Sequence, residues 1–155
     1  MPSSPVDPAQ LLNRSQRHTV LRSFAGHLDA APERVFAALI ERMRAAPGVA
    51  INTAEREIVQ QGGWWYRGEY RVMPEPTDAT ESADDRDPAE AAEASESSDI
   101  EERAAAASGT RLEFEIVNVA QSWHWAGPIA GRRVLADAPY GFHALLSEVE
   151  SELAD

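Results

Sequence analysis

The segment Leu28-Asp29-Ala30-Ala31-Pro32-Glu33-Arg34-Val35-Phe36 decides the fold class. On its N-terminal side, Thr19 to Leu28 reads as a strand with Val20, Phe24 and Leu28 on one face, interrupted there by Arg22 and Gly26. On its C-terminal side, Val35, Phe36, Leu39, Ile40 and Met43 recur at helical spacing and make one apolar stripe. Pro32 suits the first helical position, where its missing N–H is not needed. Glu33 complements the positive end of the helix. Ala46-Pro47-Gly48 stops the helix. A strand that feeds through so short a turn into an amphipathic helix calls for a sheet under that helix. The expected class is therefore α+β.

The same reading extends down the chain. Val49 to Gln61 contains a second strand, clearest at Glu57-Ile58-Val59-Gln60, and Gly62-Gly63 signals a hairpin because both glycines tolerate positive φ. Trp64 to Met73 is a third strand. Trp64, Tyr66, Gly68, Tyr70 and Val72 point one way, and Trp65, Arg67, Glu69 and Arg71 the other. In the fourth strand, Thr110 to Ala120, Leu112, Phe114, Ile116 and Asn118 oppose Arg111, Glu113 and Glu115. Gln121 to Gly127 is a turn or short strand carrying Trp123-His124-Trp125. Leu135, Phe142, Leu145, Leu146, Val149 and Leu153 then keep helical register across Pro139. That helix either starts near Pro128 and kinks at Pro139 or starts afresh with Asp137 as its cap; one kinked helix is the expectation.

Composition sets the limits. At 155 residues the chain suits a single domain, expected over 18–153, with residues 1–17 as a flexible Pro/Ser-rich leader. Residues 75–109 are mostly Ala, Glu, Asp, Ser and Thr, with Ile100 as the one larger aliphatic side chain. Such a segment cannot bury enough apolar area to offset its chain entropy, so it is expected to be a disordered acidic insertion in a hairpin loop. The net charge of −12 sits largely there. Twelve acids and one arginine fall within 75–102, which leaves fourteen acids and thirteen arginines elsewhere. No basic patch invites nucleic acid. The chain has no cysteine and no lysine, which excludes disulfides, thiolate nucleophiles and Schiff-base lysines. No apolar run approaches the roughly 18 residues of a membrane helix. Met1 to Pro5 lacks the basic and apolar regions of a signal peptide, so a cytoplasmic location is expected. Hydrolase-elbow, dinucleotide and P-loop glycine motifs are missing.

The junction Asp29-Ala30-Ala31-Pro32-Glu33-Arg34-Val35-Phe36 resembles the strand-to-helix turn of the START/Bet v 1-like (SRPBCC) superfamily. The stretches Gly62-Gly63-Trp64-Trp65-Tyr66-Arg67-Gly68-Glu69-Tyr70 and Gly109-Thr110-Arg111-Leu112-Glu113-Phe114 are similar to later strands of bacterial members described as polyketide cyclase/dehydrase-like. The resemblance covers residues 18 to 153 outside the insertion. It implies a helix-grip fold, in which a curved antiparallel sheet packs on the long C-terminal helix with an apolar cavity between them. It also implies a small hydrophobic ligand, lipid or polyketide-like. The family unites no single catalytic set, so none is carried over. Four strands are legible where the family usually has six or seven, so the cavity is expected to be either reduced or filled.

On this reading the ligand-lining candidates are Phe36, Trp64, Tyr66, Tyr70, Phe114, Ile116, Asn118, Trp123, His124, Phe142 and Leu146. An aromatic core without a void is the competing reading of the same side chains. His124 could serve as a general acid or base at a cavity mouth, because an imidazole titrates near neutral pH. The alternative for Trp123-His124-Trp125 is an aromatic loop that packs the helix start. Asn118 could bond a ligand or cap its strand. His27 and Asp29 are two residues apart with no third ligand evident, so no metal and no cofactor are expected. The expected function is hydrophobic-ligand binding. The alternatives are a polyketide cyclase/dehydratase-type enzyme using Tyr66, Tyr70 or His124, and a protein-interaction module built on the acidic insertion.

Overall fold

The computed structural model describes residues 7–75 and 109–155. One antiparallel sheet contains β1 (Thr19–Leu28), β2 (Val49–Asn52), β3 (Glu57–Gly62), β4 (Tyr66–Glu75) and β5 (Gly109–Asn118), in the order β1-β5-β4-β3-β2. The helices are α1 (Pro8–Leu11), α2 (Pro32–Met43), α3 (Gly127–Ala130) and α4 (Arg132–Ala154). The fold is thus α+β, an open five-stranded sheet with a long C-terminal helix. No helix among the described residues is long and apolar enough to cross a membrane.

The β1–α2 junction forms as expected. The amides of Arg34 and Val35 donate to the Ala31 carbonyl at 3.0 and 3.1 Å and open α2 at Pro32. The fully buried Thr110 of β5 fastens the turn, its hydroxyl donating to the Ala30 carbonyl at 2.6 Å. Val35, Phe36 and Leu39 of α2 join Ile58, Leu112 and Ile116 of the sheet in one core. α4 completes it. Phe142 stacks on Phe24 and Phe114 at 5.6 and 6.0 Å, and Val149 is fully buried. Gly26, which breaks the apolar pattern of β1, does so because Leu146 occupies the space a Cβ would need.

Several expectations change. The stretch 49–61 holds two strands, β2 and β3, paired as Ala50↔Val59 and Ile51↔Ile58, so the sheet has five strands rather than four. Their turn has no glycine or proline; Arg56 takes φ 50° there, and the Asn52 side chain accepts from the Glu55 amide. The Gly62-Gly63 turn extends through Trp65, because β4 begins only at Tyr66. The strict alternation therefore does not reach the tryptophan pair. Trp65 is buried beneath Gly131, and Trp64 is 51% exposed rather than inward. In β1, a bulge between Val20 and Arg22 sets Val20 opposite Val117, on the other face from Phe24. At the C-terminus the helix runs unbroken through Pro139, and the interruption falls at Gly131, where the Trp65 ring leaves no room for a side chain. Asp137 is not a cap.

The leader expected over 1–17 behaves differently across its described part. Residues 7–17 lie against the outer face of the sheet. Arg67 of β4 donates to the carbonyls of Leu11, Leu12 and Asn13, and Arg14 pairs with Glu69. The acidic insertion expected over 75–109 lies outside the described residues except at its ends. There Glu75 and Gly109 face each other at the last position of the β4–β5 ladder.

Candidate functional site

Period-two alternation in β4 and β5 presents Tyr66 and Tyr70 beside Phe114 and Ile116 on the sheet's inner face. Across from them runs one stripe of α4. Its residues Val134, Ala138, Gly141, Ala144 and Leu145 recur every three or four positions, so they share a helix face. Ala138, Gly141 and Ala144 are small, and a Cβ added at Gly141 would meet nothing within 4 Å. Between helix and sheet this leaves an open groove of about 550 Å³, with Phe142 at its base. Such a volume falls within the range of about 300–1,000 Å³ common to small-molecule sites.

The walls of the groove are ordered by ring contacts. Tyr70 stacks on Phe114 at 4.4 Å with an interplanar angle of 16°, and Phe142 continues the stack. Burial raises the pKa of Tyr66; burial also raises that of Tyr70, with the neighbouring Tyr66 adding to it. Both phenols therefore stay neutral and can donate. Asp137 and Glu148 supply the charged side chains of the lining, and Arg42 of α2 donates to Glu148 at 2.7 Å and to Glu152 at 3.0 Å.

Five of the eleven expected residues thus meet in one place: Tyr66, Tyr70, Phe114, Ile116 and Phe142. The rest do not join them. Phe36 is buried in the core under α2, and Leu146 covers Gly26. Asn118 caps its strand: its amide donates to the His124 carbonyl at 2.7 Å and its oxygen accepts from the Ala120 amide at 3.1 Å. His124 has both ring nitrogens engaged. Nδ1 lies 2.8 Å from the Ala120 carbonyl, which can only accept, so Nδ1 carries a proton; Nε2 lies 2.9 Å from the Thr19 hydroxyl. These bonds hold the loop onto β1. Trp64 and Trp123 flank a second groove of about 510 Å³ with Gln61 and Gln121, separate from the first. Apart from Phe142, the α4 lining escaped the sequence reading. Its available signal was the run of small residues Ala138, Gly141 and Ala144 on one side of an otherwise bulky helix.

The outer face of the same strands carries charge. Glu69, buried to 2%, accepts from Arg67 Nε at 2.7 Å, from Arg14 at 2.6 Å and from Arg71 at 3.0 Å. Burial alone would push its carboxyl up; the hydrogen bonds and charges of Arg14 and Arg67 prevail and hold it at about 2. Arg14 also reaches Glu115 at 2.6 Å. Every buried side-chain nitrogen and oxygen among the described residues has a partner, so the cluster is saturated and acts as an anchor for the N-terminal segment. At the sheet end, His27 bonds Glu75 through Nδ1 and Asp29 through Nε2 at 2.8 Å. The two carboxylates sit on opposite ring nitrogens, which is a bridge and not a shared metal site. No group of three or more metal-ligating side chains occurs among the described residues.

No family model matches the chain, and a search of curated proteins likewise found no match.

Proposed function

We propose that this chain binds a small hydrophobic molecule in the groove between the sheet and α4, and that it is a helix-grip protein of the START/Bet v 1-like kind. The observation that carries the reading is the groove itself. Its stacked Tyr70, Phe114 and Phe142 rings provide an apolar surface. The small residues of α4 leave it open, and two neutral phenols offer a few polar contacts. An apolar concavity with few convergent polar groups is the usual form of a small-molecule site. The fold class, a sheet covered by a long C-terminal helix, agrees with the family that the β1–α2 junction resembles.

Native mass spectrometry of the freshly purified full chain tests this. A lipid-sized adduct is expected on the wild type, and Gly141→Leu, which projects a side chain into the open space, should lose it while staying folded. A bare mass, together with no binding of a hydrophobic fluorescent probe, would contradict the reading.

A further inference from the structure

The groove has a polarity of charge that selects among hydrophobic ligands. Its formally charged lining consists of two carboxylates, Asp137 and Glu148, and no arginine lines it. They stand eleven residues apart on α4, about 16 Å along the axis, at opposite ends of the small-residue stripe. The two ends differ. Glu148 is paired with Arg42, whose remaining donors go to Glu152. Asp137 has no ion-pair partner among the described residues. α4 starts just after Gly131, against Trp65 and next to Tyr66, and by Leu146 reaches Gly26 at the Leu112–Val72 end of the sheet, so Asp137 lies on the Tyr66 side of Phe142. Tyr66 and Asp137 both line the groove, one offering an aromatic face and the other a carboxylate.

We infer that the groove takes a cationic amphiphile, with its apolar body on the Phe114, Ile116 and Phe142 surface and its amine or quaternary ammonium at Asp137 and the Tyr66 ring. This inference rests on the reading of the groove as a ligand site. A ring face and a carboxylate each favour a cation. An anionic headgroup such as a fatty-acid carboxylate would meet like charge at both ends of that lining.

The test is calorimetric titration of the full chain with three probes sharing one tail, octyltrimethylammonium, octanol and octanoate, each below its micelle-forming concentration. The cation is expected to bind roughly tenfold tighter than octanoate, the sum of an exposed charge pair and a cation–ring contact. Asp137→Asn should remove most of that preference, whereas Glu55→Gln, the same charge change on an exposed turn, should leave the preference intact. Octanoate binding as tightly as the cation, or a preference unmoved by Asp137→Asn, overturns the charge inference while octanol binding keeps the groove reading. No binding by any probe overturns both.

Discussion

The two faces of β4 solve opposite problems with one alternating sequence. Tyr66 and Tyr70 face inward, where stacked rings and small helix residues leave space. Arg67 and Glu69 face outward, yet they are more deeply buried than either tyrosine, because residues 7–17 cover them and every polar atom is matched. The apolar side is therefore the open one and the charged side the closed one. Burial does not follow polarity here; it follows which segments have partners to cover. An unfilled apolar surface suggests a ligand, and a filled ionic one suggests structure.

The largest effect that would break this comparison is on the charged face. Arg67→Met should take one of three arginines from the buried Glu69 and leave the carbonyls of Leu11, Leu12 and Asn13 without their donor, at a cost of about 3 kcal/mol read from urea denaturation midpoints. A cost below about 1 kcal/mol would show that face to be effectively solvated. The tryptophan pair offers a matched control: Trp65→Ala should cost about 3–5 kcal/mol, while Trp64→Ala, half exposed, should stay within about 0.5 kcal/mol.

Acid sharpens the same point. The Glu69 carboxyl titrates at about 2 when folded against 4.5 in the unfolded chain. Its stabilisation is complete above pH 4.5 and lost as pH falls through about 2, amounting to about 3 kcal/mol. Thermal midpoints of Glu69→Gln should be lower than wild type at neutral pH and should fall less between pH 4.5 and 2. On the open face, Gly141→Ala should raise stability by about 0.5–1 kcal/mol, since it adds helix propensity and meets no neighbour. A loss in calorimetry would mean the space is already occupied. The smallest effect is at His27, whose pKa is raised by its hydrogen bond to Glu75 and then by that to Asp29. This contribution is full below pH 6.5 and fades as pH climbs through the raised value; His27→Gln should flatten that slope slightly.

Much of the inner face was legible because it depends on local signals. Pro32 and the apolar stripe mark α2, Gly62-Gly63 marks the hairpin, and the alternation of β4 and β5 gathers Tyr66, Tyr70, Phe114 and Ile116. The remainder depends on contacts distant in sequence. Nothing near Arg67 announces that the carbonyls of Leu11, Leu12 and Asn13 will cover it. The Trp64–Trp65 reversal turns on where the hairpin turn ends, a difference of two residues. The helix breaks at Gly131 and continues past Pro139, because the Trp65 ring fills one place and nothing forces a stop at the other. The β2–β3 turn lacked a marker, since Arg56 adopts a positive φ that glycine would normally supply.

The most direct test of the open inner face is a two-dimensional NMR titration of the full chain with octanol. The account predicts saturable shifts concentrated at Tyr66, Tyr70, Gly141 and Ala144, abolished by Gly141→Leu. Shifts confined to Trp64 and Trp123, or none at saturation, would contradict it.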